Sequence, residues 1–275
     1  LFETEERGPF VVKGKAEPVT AWTVGKAKGS RASAVADTRL PLTGRNAELG
    51  VVRKALGGVR TGAGQLVDIV GDSGIGKTRL LEAMRDAAMG YKKLRAVCEA
   101  YTSAAPYAVW HQLLRELLGV GRDDEAAVAE ARLRDEMAAK APDLAPWLAL
   151  LGAALDLVIA PSPEVEMLAA ENRRAKLHET VSRFLAAALP GPAVLEIDDA
   201  HHMDEASVDL LRHLVGQLPE RKWLFGVARR PGGTGFVAPE APGVARIELK
   251  PLAQPDALRL AELATKEHPL PSHVI

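Results

Sequence analysis

Gly71-Asp72-Ser73-Gly74-Ile75-Gly76-Lys77-Thr78 fits the spacing G-x-x-x-x-G-K-[ST]. Each fixed position has a physical task. Glycines let successive backbone N–H groups turn inward and form a concave anion nest. The lysine brings a mobile charge to β- and γ-phosphates, and the threonine hydroxyl is within reach of Mg²⁺. Working outward, Gln65–Val70 (QLVDIV) reads as a short, mostly apolar strand. Arg79 to Ala88 reads as a helix carrying Leu80, Leu81 and Met84 on one side. Strand, glycine loop and helix in that order set a phosphate at a helix N-terminus. The chain is therefore expected to bind a nucleoside triphosphate.

With 35 basic and 36 acidic side chains the net charge is −1, which argues against direct nucleic-acid binding through a broad basic surface. A hydrophobic content of 47% supports a sizeable core. The single cysteine, Cys98, forms no intramolecular disulfide, fits a reducing compartment and reads as a buried thiol. No stretch has the run of about 18 apolar residues that a membrane helix needs, and no signal peptide opens the chain. A cytoplasmic protein without membrane partners is the expectation. Leu1 in place of Met, and an element still running at the last residue, read as a piece of a longer protein.

Residues 1–27 stand apart: Phe10-Val11-Val12 and Val19–Val24 are β-prone segments on either side of a turn at Lys13-Gly14-Lys15-Ala16-Glu17-Pro18. Residues 28–40 lie in a small, polar, basic tract and read as a linker. From Pro41 strands and helices alternate. Helices are expected over 45–59, 109–118, 125–139, 147–157, 172–189 and 205–218. Further strands are expected near Lys93–Cys98, Ala193–Asp198, Trp223–Ala228 and Val244–Leu249. Leu177, Val181, Phe184 and Leu185 share one helical face, and Asp204 stands as a helix cap. The pattern implies an α/β fold: a five-stranded parallel sheet flanked by helices, with a helical insertion at about 106–190.

A phosphate loop needs acids to act. Ile197-Asp198-Asp199 ends a strand, where open α/β sheets place their ligands. Asp198 is assigned to Mg²⁺ through its water shell, and Asp199 to orienting or deprotonating the attacking water. Two solvated acids at a polar strand end are the alternative. His201 and His202 do not read as a metal site, since adjacent residues rarely face one ion and no third soft ligand lies nearby. One of them could line the phosphate pocket. Of Arg229 and Arg230, Arg230 is favoured as the cation for the γ-phosphate. Tyr101, Tyr107 and Trp110 read as helix packing rather than a partner surface.

Together these segments resemble the STAND branch of AAA-like P-loop ATPases, and more narrowly the ATPase module that follows a class III adenylate/guanylate cyclase domain in large bacterial regulators. Leu42-Thr43-Gly44-Arg45-Asn46-Ala47-Glu48-Leu49 is similar to the family's opening segment, Gly71–Thr78 to its Walker A, and Leu195–Asp204 to its Walker B. Ala228-Arg229-Arg230-Pro231 is similar to its sensor, and Leu249-Lys250-Pro251-Leu252 to the start of its lid. The resemblance covers residues 41–275. Val12–Val19 separately resembles the terminal hairpin of a cyclase domain.

The resemblance implies that Gly44 and Arg45 lie against the nucleotide, that the P-loop residues Gly71, Asp72, Ser73, Gly74, Ile75, Gly76, Lys77 and Thr78 hold it, that Thr78 and Asp198 hold Mg²⁺, and that Lys77, Asp199 and Arg230 act in catalysis. It favours ATP where the residues alone leave ATP and GTP open. It further implies a slow Mg²⁺-dependent ATPase switch, partnered by an upstream cyclase domain and by C-terminal helical regions of the same protein, with oligomerisation left open. His202 stands where the family commonly has Trp. No cyclase metal-binding aspartate is present, so cyclase activity belongs to a parent protein if anywhere. A non-hydrolysing nucleotide scaffold and the ATPase module of a DNA-binding transcriptional regulator are the competing readings.

Overall fold

The computed structural model describes residues 2–10, 19–27, 41–100 and 105–265. The expected turn at 13–18, Val11 and Val12, the linker at 28–40, Tyr101 and residues 266–275 lie outside them. At the N-terminus β1 (Phe2–Phe10) and β2 (Val19–Ala27) pair antiparallel, from Phe2 opposite Ala27 to Phe10 opposite Val19. The described part of the first strand is FETEERGPF, whose charges conceal the β pattern.

The main sheet is built from β3 (Gln65–Val70), β4 (Lys92–Val97), β5 (Ala193–Asp198), β6 (Trp223–Arg229) and β7 (Val244–Glu248), all parallel, in the order β4-β5-β6-β3-β7. The expected five-stranded parallel sheet flanked by helices is the observed architecture. Alternation along the strands separates two apolar layers. Val67, Ile69, Val194, Leu224 and Ala228 pack with α1 (Asn46–Arg60) and α2 (Lys77–Ala87). Leu66, Leu195, Ile197, Phe225 and Val227 face the opposite layer. That layer is α3 (Ala108–Leu118), α4 (Ala126–Lys140), α5 (Leu148–Ala153), α6 (Pro163–Glu166), α7 (Ala170–Ala188) and α8 (Glu205–Val215). Beyond β7, α9 (Gln254–Ala264) follows and buries no residue. Leu177, Val181, Phe184 and Leu185 are all buried on α7, as the 3.6-residue period predicts.

Two contacts fix the layers. Gly226 on β6 leaves room for Met84: a Cβ there would stand 2.1 Å from Met84 Cε, so α2 could not lie so close. At the sheet edge α3 closes the open ladder of β4. Val97 N donates to Gln112 Oε1 at 3.1 Å, Gln112 Nε2 donates to Val97 O at 2.9 Å, and Arg95 N donates to Glu116. Side chains one helical turn apart thereby take the place of a sixth strand and remove a pairing hazard.

The helix expected over 147–157 is shorter than its apolar run. A 3₁₀ turn at Pro142–Trp147 precedes it, α5 stops at Ala153, and Leu155 N and Leu157 N both donate to Gly152 O at 2.9 Å. Asp156 takes a left-handed φ of 56°, and Ile159 folds back over Gly152, where a Cβ would meet its Cδ1 at 2.7 Å. Burial of the following leucines wins over helix continuation. Similarly α8 ends at Val215, before the expected Leu218, and the short α6 starts from a Ser162 cap without an apolar period to announce it.

Candidate functional site

Strand β3 delivers the glycine loop at its carboxyl end, and α2 leaves from it. Gly74 and Gly76 have φ of 76° and 102°, and a Cβ on either would meet no protein atom within 4 Å. Their left-handed geometry turns backbone N–H groups toward one concavity. Gly76 is the N-cap of α2, with no side-chain cap and no acid in the first turn. The orphan N–H groups and the positive end of the helix dipole are therefore open to an anion. Lys77 is 7% exposed, and its Nζ donates to Asp72 O at 2.7 Å, folded over the loop it serves.

β6 lies between β3 and β5, yet the two halves of the site meet because α2 crosses back toward β5. Thr78 Oγ1 donates to Asp198 Oδ2 at 2.7 Å. Two turns further along α2, Arg85 stands 3.4 Å from the buried Glu196 of β5. Burial pushes the Glu196 carboxyl up to about 7, against the pull of Arg85 and Arg95. Asp198 Oδ1 accepts from Asp199 N at 2.9 Å, so both its oxygens are engaged. Asp199 has a left-handed φ of 52°, a strained conformation at the strand end that aims a 42% exposed carboxylate outward. Cys98 is buried beside the pair, its N donating to Asp198 O at 2.9 Å. Burial first, then Asp204, Asp199 and Asp198, raise its thiol pKa far above the ordinary value.

The two arginines divide sharply. Arg229 is buried and bidentate to Asp68 on β3, with both contacts at 2.9 Å, and Arg246 of β7 adds a 3.2 Å bond to the same carboxylate. That network neutralises an acid inside the sheet. Arg230 is exposed, and its Nη2 donates to Ser73 Oγ of the glycine loop at 3.3 Å. The order of the sheet explains this placement: β6 ends between the loop and the acid pair.

Beside the loop lies a cavity of about 690 Å³ lined mainly by apolar groups, among them Leu42, Ile75, Pro251, Leu252, Ala257 and Leu260. Arg45 borders it, but its guanidinium is already engaged, donating to Ile75 O at 3.1 Å, to Lys250 O at 2.8 Å and to Glu48 at 3.1 Å. It is a brace tying α1, the loop and the segment after β7. Gly44, with φ of 68°, touches α9: a Cβ would stand 2.6 Å from Asp256 Oδ2.

Asp204 does more than cap α8. Its Oδ1 accepts from Ser207 N at 2.8 Å and from Tyr107 N at 3.0 Å, and its Oδ2 accepts from Ala108 N at 3.2 Å. One carboxylate finishes the first turns of α8 and α3. The α8 cap was legible from Asp204-Glu205 ahead of an apolar run, whereas the contact with Tyr107 and Ala108, 97 and 96 positions away in sequence, was not. Glu196 and the Asp68–Arg229–Arg246 network also escape a reading by motif. Their signal is an acid inside an otherwise apolar strand, which requires a partner wherever the fold supplies one. The rings of His201 and His202 lie with centroids 4.0 Å apart and planes tilted by 39°. Among the described residues no group of three or more His, Cys, Asp or Glu side chains is placed to hold an ion, and no helix is long and apolar enough to cross a membrane.

The sequence profile described as AAA ATPase domain matches residues 41–226. An uncharacterised protein of Rhizobium meliloti (strain 1021) is 28% identical over 263 residues, 93% of this chain and 25% of its own. The chain thus spans about a quarter of the length of that curated relative. Among solved structures, the Signal Transduction ATPase with Numerous Domains (STAND) protein with a tetratricopeptide repeat sensor from Pyrococcus horikoshii aligns over 79% of this chain and 25% of its own, at 18% identity and a TM-score of 0.38. Drosophila ORC bound to DNA aligns over 81% of this chain and 47% of its own, at 13% identity and a TM-score of 0.44.

Proposed function

The chain belongs to the AAA ATPase domain family, which its residues 41–226 match, and from that premise we propose that it binds Mg·ATP at the glycine loop and hydrolyses it slowly as a signalling switch. One observation carries the reading. The N-terminus of α2 is uncapped and acid-free at an open glycine nest, and in its first turn Thr78 Oγ1 meets Asp198 Oδ2 of β5 at 2.7 Å. Backbone N–H groups from Gly74 to Thr78 hold the β- and γ-phosphates, and Lys77 swings from Asp72 O to the phosphate oxygens. Asp72, Ser73 and Ile75 complete the loop. The Thr78 hydroxyl and the Asp198 carboxylate are hard oxygen donors, a set that fits Mg²⁺. Mg²⁺, when bound, supplies charge neutralisation at the phosphates. Asp199 orients the attacking water and takes its proton. Arg230 reaches across from Ser73 to stabilise charge on the γ-phosphate. The apolar cavity between Leu42, Ile75 and Leu252 accepts the adenine ring, with Gly44 and Arg45 fixing its walls rather than bonding the phosphates.

We also propose that this module serves a longer regulator, with a class III cyclase domain upstream. The antiparallel pair β1–β2 and the likeness of residues 12–19 to a cyclase hairpin support that context. Coupling between the domains requires ATP and ADP states that differ in contact energy with a neighbour.

The test is single-turnover hydrolysis of Mg·ATP by the whole chain beside Asp199→Asn. The reading expects phosphate release in the parent chain and a loss of about 100-fold or more in the variant, with binding retained. Equal release by both would overturn the assignment of Asp199, and binding without release by either would indicate a nucleotide scaffold.

A further inference from the structure

The two adjacent acids at the end of β5 are held unequally. Asp198 accepts a hydrogen bond on each oxygen. The Asp199 carboxylate accepts none among the described residues, and Nδ1 of His201 lies 3.8 Å from its Oδ1, beyond hydrogen-bonding range. The His201 side chain is only 7% exposed, and neither of its ring nitrogens has a partner. Buried polar groups in folded proteins are almost always bonded, so an imidazole with neither nitrogen bonded within the protein has both free for a further partner.

The surroundings fix where the histidine stands. His201 sits in the single 3₁₀ turn Ala200–His202 that follows Asp199, and the loop running from Arg230 toward β7 closes over its back. Phe236 N donates to Ala200 O at 3.1 Å. A Cβ on Gly233 would stand 2.5 Å from His201 Cβ, and one on Gly235 would stand 2.1 Å from Ala200 O. The backbone and Cβ of His201 are therefore held against the loop that follows Arg230, with the acid 3.8 Å from the ring. Burial, together with His202, Arg230 and Lys77, lowers its proton affinity, against the opposing pull of Asp199. A neutral ring has one N–H to donate and one lone pair to accept with.

We propose that His201 is a positioning residue for the hydrolysis proposed above, its Nδ1–H closing onto Asp199 Oδ1 when nucleotide is bound and fixing that carboxylate toward the attacking water. The gap to be closed is short, from 3.8 Å to hydrogen-bonding range, and the exposed Asp199 carboxylate accepts no bond among the described residues that would hold it back. The inference rests on the ATPase reading of this site.

Two measurements on the whole chain test it. In single-turnover hydrolysis, His201→Ala should slow phosphate release about 10- to 100-fold, the range seen when a supporting hydrogen-bond partner is removed. ATP affinity should stay within about threefold, because only the transition-state arrangement is lost. His201→Asn, whose amide N–H can take the place of Nδ1–H, should recover most of the rate. Adding His201→Ala to Asp199→Asn should slow the reaction no further, as two groups acting as one unit are not additive. A rate for His201→Ala within about threefold of the parent chain, an additive double variant, or an Asn variant as slow as Ala would overturn the role.

The second measurement does not depend on turnover. With ¹⁵N-histidine labelling, Mg·ATP should shift the His201 Nδ1 signal to that of a hydrogen-bonded N–H, and Asp199→Ala, which removes the accepting oxygen, should abolish the shift. An Nδ1 signal that ignores Asp199→Ala overturns the proposal, whereas a parent chain that passes this test yet releases no phosphate overturns the ATPase reading instead.

Discussion

Helices α2 and α8 both start at the carboxyl-terminal edge of the sheet, and their first turns are finished in opposite ways. At α8 the Asp204 carboxylate bonds Ser207 N and also serves Tyr107 N and Ala108 N of α3, so these orphan donors are spent inside the protein. At α2 a left-handed glycine takes the cap position, no acid follows in the first turn, and Lys77 lies buried beside it. Both starts present the same backbone chemistry and the same positive dipole end. The difference shows that an open helix end here is a property of the glycine loop and not of the fold's edge. At α8 the protein supplies its own anion, and at α2 it supplies none.

Lys77→Ala should break the open end most severely. Losing about two charge-assisted bonds of roughly 2 kcal/mol each lowers ATP affinity on the order of 1,000-fold, read as loss of the thermal stabilisation that Mg·ATP confers. Asp204→Ala should break the closed end instead. It strips the first turns of two helices and destabilises the chain by about 2–3 kcal/mol in urea unfolding. Recovery of full stability by Asp204→Asn would mean that the carboxylate's charge contributes little beyond its hydrogen bonds.

A smaller effect comes from the layer behind α8. His178 is buried against His213, and Tyr107 Oη lies 3.4 Å from its Nε2. Burial, then His213 and Arg174, holds the His178 pKa down at about 4. The folded state thus refuses a proton that the unfolded chain accepts below its ordinary 6.5. This contribution to stability is present above pH 6.5 and is lost as pH falls toward 4. Unfolding curves across that window should lose roughly 1–3 kcal/mol, and His178→Gln should flatten the loss. The smallest change is expected on the solvated face of α4. Glu130→Ala removes a half-exposed pair with Arg134 and should shift stability by less than about 0.5 kcal/mol.

The open helix end was legible in the sequence because everything it needs is local: a strand, eight loop residues and the first turn of a helix. The acid pair was legible too, as a polar interruption at the end of an apolar strand. Partnerships across the sheet were not. Arg229 and Arg230 are neighbours of one type, and only the placement of β6 beside β3 sends the first to Asp68 and leaves the second over Ser73. Parallel strands pair across long connections, so neither their order nor the second cap made by Asp204 has a signature in spacing. Arg45 shows the same limit, since its carbonyl partners at Ile75 and Lys250 come from distant segments. The 147–157 stretch misleads for a different reason: its leucines are apolar at helical spacing, but Gly152 and the left-handed Asp156 let the chain turn and bury them singly.

Calorimetric titration of Mg·ATP into the whole chain, Lys77→Ala and Asp204→Ala, with all three folded at the working temperature, tests the contrast between the two helix starts most directly. The account predicts binding by the parent chain, near-complete loss in Lys77→Ala, and retained affinity in Asp204→Ala despite its lower stability. Equal binding by Lys77→Ala, or an equal loss in Asp204→Ala, would contradict it.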